Sequence, residues 1–172
     1  MSLRTERLLL NPFTPEQLIA LIEAPDGFES LSGFPAATGL REFYVSGDVD
    51  PAWLAQLRGV RAPDPWSLGF AVIDTGSDLV IGSAGFKGPP DRDGIVEIAY
   101  GIVPSYENRG YATEVAKALI VYCSDNGARQ VRAHTLPVTN ASNRVLAKCG
   151  FRFAGEVNDP ADGLVWRWER EA

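Results

Sequence analysis

The eight residues from 107 to 114 (Glu-Asn-Arg-Gly-Tyr-Ala-Thr-Glu) have the types and spacing of an anion-binding turn. They follow an apolar strand pattern over 95–103 and open a helical pattern. The first N–H groups of a helix lack partners within the helix, and the helix dipole adds partial positive charge there. The sequence therefore predicts that backbone N–H groups around Gly110 bind a phosphate group, and that Arg109 adds a mobile positive charge.

A carboxylate in the preceding strand is the candidate for proton transfer. Glu97 alternates onto the face opposite Val96 and Ile98, within an otherwise apolar stretch. A partly buried carboxylate there could accept a proton directly or through water. A surface charge, or a buried partner for an arginine, would give the same pattern, so both alternatives stay open.

The histidine and cysteine content bounds the remaining chemistry. The single histidine, His134, lies in a strand pattern, where a packed or hydrogen-bonded ring is expected rather than an acid–base role. Cys123 and Cys149 fall on apolar faces of predicted helices and are expected to be buried. Neither a disulfide framework nor a metal site is predicted from this set.

The charge of the chain narrows its partners. A net charge of −6 with a pI near 4.8 argues against general nucleic-acid binding, which needs a basic surface. An acidic surface could attract a cationic amine, although it also serves solubility. Charges in the first seven residues, and the lack of a run of ~20 apolar residues, predict a cytoplasmic protein without a membrane segment.

Hydrophobic periodicity predicts the elements that must hold these residues in place. The chain has 172 residues, 45% of them hydrophobic, which fits one domain over 1–172. Seven strand patterns cover 3–10, 68–73, 79–86, 95–103, 130–136, 151–157 and 164–168. Four helix patterns begin near 15, 51, 110 and 140, and residues 24–50 form a loop with short helical turns. The prediction is a mixed sheet flanked by helices, in the α/β or α+β class.

Five local signatures occur in one order along nearly the whole chain, and together they resemble the GNAT superfamily of acyl-CoA-dependent N-acetyltransferases. The signatures are Leu-Arg-Thr-Glu-Arg-Leu at 3–8, Gly-Phe at 85–86, Val-Glu-Ile-Ala-Tyr at 96–100, Arg-Gly-Tyr-Ala-Thr-Glu at 109–114, and Ala-Ser-Asn-Arg-Val-Leu-Ala-Lys-Cys-Gly-Phe at 141–151. The first is similar to the opening of the ribosomal-protein N-terminal (alanine/serine) acetyltransferase branch. The resemblance implies a GNAT fold and acetyl transfer from acetyl-CoA to a primary amine, by direct attack in a ternary complex.

The resemblance also implies how the cosubstrate is bound. The residues whose backbone N–H groups would hold its pyrophosphate are Arg109, Gly110, Tyr111, Ala112 and Thr113. Ile102 and Val103 would pair with pantetheine like a neighbouring strand, with an N–H near Val103 facing the thioester oxygen. Asn140 and Asn143 would contact or orient the same molecule.

For the proton steps, Glu97 is the candidate base from its strand position, and the resemblance implies that Ser142 is the hydroxyl that protonates the departing thiolate. Ser142 could instead cap the helix near Asn140. The chain departs from the family at three positions: Glu107 replaces the usual Gln or Arg, Thr139 replaces an Asn, and Leu146 replaces a tyrosine.

Alternatives to an enzyme remain at this stage. A catalytically silent acyl-CoA-binding module or sensor would share the same turn, whereas a nucleotide-binding loop would need a Lys-Ser/Thr pair after the glycine. The amine acceptor would be selected by residues 24–50 and 87–94. The four tryptophans are predicted to be core and rim residues rather than an acceptor cage, and exposed ones could mark a homodimer surface.

Overall fold

A computed structural model describes residues 1–172 and has one sheet of eight strands flanked by seven α-helices. The strands are β1 Leu3–Arg4, β2 Leu8–Pro12, β3 Phe70–Asp74, β4 Leu79–Phe86, β5 Ile95–Ile102, β6 Gln130–Thr135, β7 Arg152–Asp159 and β8 Gly163–Glu171. The helices are α1 Pro15–Glu23, α2 Phe28–Ser32, α3 Glu42–Val45, α4 Pro51–Gly59, α5 Pro65–Leu68, α6 Tyr111–Asp125 and α7 Ala141–Lys148. Short 3₁₀ turns cover Pro25–Gly27 and Pro104–Tyr106.

The sheet opens between its two central strands. Its order is β1-β2-β3-β4-β5-β6-β8-β7, and β5–β6 is the parallel pair among antiparallel ones. β5 pairs with β4 as far as Ile102, but it pairs with β6 only over 95–97 against 130–132. Beyond Glu97 the two strands therefore separate, which leaves a gap between them.

The two faces of β5 have different roles. Val96, Ile98 and Ile102 are buried on one face, because α6 packs on β5 through its apolar stripe. That stripe includes Val115, which is fully buried, and it follows the predicted i, i+3, i+4 spacing. The opposite face carries Glu97 and small residues.

The predicted fold class is confirmed, with more elements than the sequence indicated. The first strand is interrupted at Thr5, whose side chain bonds to Leu8, so one predicted strand becomes two. Four helices were predicted and seven are present, since α2, α3 and α5 have only 4 or 5 residues each. The capping box at the start of α1 is confirmed by reciprocal bonds between Thr14 and Gln17. No helix of the structure combines the length and apolarity needed to cross a membrane.

Candidate active site

A cleft of about 530 Å³ lies where β5, the start of α6 and one face of α7 meet. β5 contributes Tyr100, Gly101 and Ile102, and α7 contributes residues that share one helical face. Those α7 residues include Ala141, Val145 and Lys148. A smaller cavity of about 200 Å³, which we call the proton chamber, contains Glu97 and His134 and shares Tyr100 and Ser142 with the cleft.

The turn before α6 directs unpaired backbone donors at the cleft. Asn108 and Gly110 both adopt left-handed backbone conformations, with φ of 60° and 81°. The N–H groups of all six residues from 108 to 113 make no hydrogen bond within the protein. Turns of this kind concentrate partial positive charge in a concave backbone, and anions bind to them.

The start of α6 also lacks a side-chain cap. Gly110 holds its N-cap position and offers no acceptor, whereas α1, α4, α5 and α7 are each capped by a side-chain oxygen. The donors of α6 are therefore available to a ligand, while those of the other four helices are partly satisfied.

Glu114 is an unexpected neighbour for an anion site, and Arg7 compensates for its charge. Arg7 Nε lies 2.9 Å from the Glu114 carboxylate, and its Nη1 donates to the Arg109 carbonyl at 2.9 Å. The guanidinium also lies 4.2 Å from the centre of the Tyr111 ring. Thr5 adds a further bond to Glu114. Arg7 thus ties the turn and α6 to the N-terminal strands.

The pKa of Glu114 reflects these contacts. Burial alone would raise the pKa of this carboxyl, but hydrogen bonds from Thr5 and from the backbone and side chain of Arg7 outweigh it. The pKa is therefore held below its usual value.

Neither Glu107 nor Arg109 supplies a positive charge to the cleft. The Arg109 guanidinium packs 5.0 Å from the centre of the Tyr106 ring, and Arg109 does not line the cleft. The Glu107 side chain is exposed and makes no ion pair, although the residue lies at the cleft's edge. The positive side chains at the cleft are instead Arg144 and Lys148 of α7, which the sequence reasoning missed.

The structure corrects the predicted role of Val103. Its side chain is fully buried, and its N–H donates to the Ile81 carbonyl at 2.8 Å, so it cannot face a thioester. Backbone groups alternate along a strand, and those of 97 and 103 point toward β4. The N–H and C=O groups of Tyr100 and Ile102 therefore point into the gap, and Ile102 lines the cleft as predicted.

Glu97 lies at the point where β5 and β6 separate. Its side chain is 17% exposed and forms an ion pair with Lys87 Nζ at 3.0 Å. Lys87 also contacts the Asp162 carboxylate at 2.6 Å. Burial alone would lower the pKa of Lys87, but its bonds to Asp162 and Glu97 outweigh it and raise the pKa. Glu97 thus belongs to a charged network. The sequence pattern had shown only a carboxylate in an apolar strand and had left its partner open.

His134 completes this network. Arg167 Nε donates to His134 Nε2 at 3.0 Å, so Nε2 is an acceptor and the ring proton lies on Nδ1. Nδ1 is 2.9 Å from the Glu97 carboxylate and 3.9 Å from Asp159. The ring is a hydrogen-bonded, buried group, as expected. Glu97, His134 and Asp159 offer ligand atoms within 4.8 Å of one another, but Lys87 and Arg167 already supply positive charge there.

Ser142, the predicted proton donor on α7, lies at the surface of the cleft. Ser142 is exposed and lies where the cleft meets the proton chamber. It is not the helix cap, because Asn140 holds that position and accepts from the Asn143 N–H at 3.2 Å.

Asn140 and Asn143 do not line the cleft, and their contact with the cosubstrate stays a prediction. Asn143 is buried, and its amide donates to the Val138 carbonyl at 2.9 Å, while its oxygen has no partner. The pair shapes the loop that enters α7.

Tyr100 is the central residue that the sequence reasoning missed. It lines the cleft, the proton chamber and a third, apolar pocket of about 340 Å³. Burial raises the pKa of its hydroxyl, which keeps the phenol protonated. A tyrosine in a row of aliphatic residues, beyond the last pair between β5 and β6, was the signal that could have identified it.

Several known proteins resemble this chain in sequence or in fold. The sequence model of the acetyltransferase (GNAT) domain family matches residues 7–152. YjdG of Bacillus subtilis, described as an uncharacterized N-acetyltransferase, is 27% identical over 57% of this chain, and the match spans 56% of that relative's length. YoaA of the same organism, described in the same words, is 27% identical over 89% of this chain and 84% of its own. The structure of RimL, a ribosomal alpha-N-protein acetyltransferase in complex with coenzyme A, superposes with a TM-score of 0.68 at 12% identity, over 99% and 98% of the two chains.

Proposed function

Because the chain belongs to the GNAT acetyltransferase family, we propose that it transfers an acetyl group from acetyl-CoA to a primary amine, by direct attack in a ternary complex. One observation carries this proposal. The N–H groups of residues 108–113 make no hydrogen bond within the protein, and five of these six residues line a cleft that adjoins the cavity containing Glu97. A long anionic molecule with a reactive end fits that arrangement.

The cleft residues fit coenzyme A from end to end. The turn at 108–113 would bind the pyrophosphate, with Gly110 allowing close approach and Arg144 and Lys148 adding positive charge. The open backbone groups of Tyr100 and Ile102 would pair with the amides of pantetheine, as an added strand does. Val103 supports this edge from the core and has no donor to offer.

Two kinds of group would carry the protons. Glu97 would accept a proton from the ammonium group of the acceptor, directly or through water, which frees the neutral amine to attack the thioester, while Lys87 and His134 hold the Glu97 carboxylate in place. Ser142 would donate to the departing thiolate, because it lies at the junction of the cleft and the proton chamber. Tyr100 lines both cavities as well, and its hydroxyl would be a second donor.

The acceptor amine is open to two sources, the N-terminus of a peptide or protein and a small molecule. RimL is named as a ribosomal L7/L12 alpha-N-protein acetyltransferase. The opening of this chain resembles that branch, so peptide N-termini are the first acceptors to be tried. A silent acyl-CoA sensor remains the alternative. It would bind coenzyme A at the same turn and release no thiol.

Two measurements test the proposal. Coenzyme A should raise the melting temperature of the protein, whereas ATP and NAD at equal concentration should not. Thiol release from acetyl-CoA should then depend on an added amine. Mass spectrometry should find the amine about 42 Da heavier, because an acetyl group replaces one hydrogen. Stabilisation without thiol release across peptides and small amines would establish the sensor instead.

A further inference from the structure

The apolar pocket of about 340 Å³ has a floor made of four small residues on one face of the sheet. The strand register places Ser83 opposite Gly101 and Gly85 opposite Ala99, so the four are direct neighbours. Because none of them has a large side chain, the sheet surface is open at this point. The floor lies on the face of β5 that carries Glu97, opposite to the face covered by α6.

The walls of this pocket are aromatic. Tyr44 and Trp53 lie with their rings nearly parallel, with centroids 6.4 Å apart at 5°, and Phe43 rests against Gly101. The Tyr44 hydroxyl bonds to Ser83 Oγ at 2.6 Å, so its polar atom is already satisfied. Burial raises the pKa of Tyr44 to about 12. No lining residue carries a charge.

The pocket connects with the proton chamber. Ala99 and Tyr100 line both cavities, and on the strand face Ala99 follows Glu97 directly, about 7 Å along the chain. An amine whose nitrogen reaches Glu97 would therefore lay its substituent over Ala99 and Gly101, between the aromatic walls. The charged groups near the nitrogen include three carboxylates, Glu97, Asp159 and Asp162.

We propose that the acceptor is a primary amine bearing an apolar aryl or branched alkyl group, which occupies this pocket. The inference rests on the proposed acetyl transfer and names its substrate class. Burying a second ammonium or several hydroxyl groups here would remove their hydration without a partner, which is costly. An aryl or branched group would instead bury apolar surface against the rings. Polyamines and amino sugars are therefore excluded as good acceptors.

A panel of primary amines tests this inference. Phenethylamine and isoamylamine represent the proposed class, 1,4-diaminobutane carries a second charge, and kanamycin carries hydroxyl groups. Peptides of equal length that begin with Phe, Ser or Asp separate a peptide source from a small molecule. We expect kcat/KM for phenethylamine, or for the Phe peptide, to exceed that of diaminobutane, kanamycin and the Asp peptide at least tenfold. Equal or higher values for the polar acceptors would overturn the inference and leave the acetyl transfer standing.

Two variants connect the preference to the pocket. Trp53→Ala should lower kcat/KM for phenethylamine about tenfold, while Trp166→Ala, a partly buried tryptophan on β8, should leave it within twofold. Ala99→Leu fills the floor and should reduce the preference of phenethylamine over methylamine at least fivefold. Coenzyme A affinity and the melting temperature, measured for each variant, show that folding and the cleft are intact. An unchanged preference in both pocket variants would contradict the inference.

Binding measurements cover the case in which no amine is acetylated. Titration calorimetry of phenethylamine and diaminobutane into the protein saturated with coenzyme A reports pocket occupancy without turnover. Binding of phenethylamine that is weakened by Trp53→Ala would keep the pocket assignment while the enzymatic function fails. Absence of binding by either amine, together with absence of transfer, would overturn both.

Discussion

The cosubstrate turn and the apolar pocket both adjoin β5, and they are built from different parts of the chain. The turn uses backbone N–H groups from six consecutive residues, 108–113, and a charge clamp between Arg7 and Glu114. The pocket uses residues from α1, α3, α4, α5, β4 and β5, which lie between Leu18 and Gly101. Backbone donors can hold the same ligand with many side-chain sequences, whereas a pocket of side chains changes whenever one of them changes.

The turn and the pocket would therefore differ in what they recognise: the turn binds the cosubstrate, and the pocket selects the acceptor. The turn would recognise pyrophosphate, which is the same in every acyl-CoA, and nothing in it distinguishes one acceptor from another. The pocket distinguishes acceptors, and its residues have no local motif. Variants of the turn should therefore change affinity for coenzyme A with every acceptor alike, and variants of the pocket should change acceptor preference.

The largest effect on the cosubstrate side is expected from Gly110→Val. A β-branched residue at φ 81° costs about 1–2 kcal/mol, which displaces the turn or strains it. Calorimetry should show coenzyme A binding about twentyfold more weakly. Gly127→Val is the matched control, since Gly127 has φ 89° at the other end of α6 and nothing within 4 Å. It should lose similar stability and keep its affinity. Equal affinity losses in both variants would contradict a local role for the turn.

Glu97→Gln tests the proton chamber that the two regions share. Turnover should fall at least tenfold, about 1.4 kcal/mol of barrier, because the amide cannot accept the proton. Coenzyme A affinity should not change, since Glu97 does not line the cleft. Glu156→Gln, an exposed position on β7, should retain full turnover. A Glu97→Gln enzyme with unchanged turnover across the pH range would remove Glu97 from the mechanism.

Arg7→Ala tests whether the charge clamp supports the turn. Losing the ion pair and the contact with Tyr111 should weaken coenzyme A binding about fivefold, equivalent to about 1 kcal/mol, because the Glu114 charge is then uncompensated near an anion. Arg58→Ala removes the ion pair with Glu23 instead and should not affect binding. Equal affinity in the two variants would show that the turn is independent of Arg7.

The clamp also predicts a dependence of stability on pH. The pKa of Glu114 is lower in the folded protein than its usual 4.5, so its contribution to stability is present above that value and disappears as pH falls through the folded pKa. Denaturant unfolding of wild type and Glu114→Gln should therefore differ at pH 6, and the difference should shrink as pH falls below 4.5 and through the folded pKa. A difference that stays constant over this range would contradict the assignment.

The smallest effect is expected from Ser142→Ala. Turnover should fall about threefold, because Tyr100 lines both cavities and its hydroxyl would still donate. Ser124→Ala, at the exposed end of α6, should be without effect. The double variant Ser142→Ala with Tyr100→Phe should lose more than the two single losses multiplied. Simple multiplication in the double variant would show that the two hydroxyls do not substitute for each other.

The cosubstrate side could be predicted from the sequence because its signals are local. Gly110 and the periodic stripe of α6 lie within sixteen residues, and the α1 cap at Thr14 is fixed by its own segment. Glu97 was found by its place in an apolar strand. Its partner Lys87, and the Asp162 carboxylate that also pairs with Lys87, were not found, because the register of β4 and the β7–β8 turn brings them together.

The acceptor side could not be predicted, because its residues are distant in the sequence and come together only in the fold. Trp53 was expected to be core or rim, and it forms a pocket wall only because α4 packs beside Tyr44. Val103 was predicted to present its N–H at the open edge of β5, but that N–H bonds to β4. Backbone groups alternate between the two edges of a strand, and the sequence alone does not show which neighbour lies at each edge. Of residues 24–50 and 87–94, only Phe43, Tyr44 and Lys87 line the pocket or the proton chamber.

The short pairing between β5 and β6 has a consequence for cooperativity. Three residue pairs, 95–97 with 130–132, join the five strands on one side of the sheet to the three on the other. A ligand that bonds to the open edge of β5 and to α7 would bridge the two halves. Amide hydrogen exchange at this seam should therefore slow more than elsewhere when coenzyme A binds, so the ligand acts as part of the sheet.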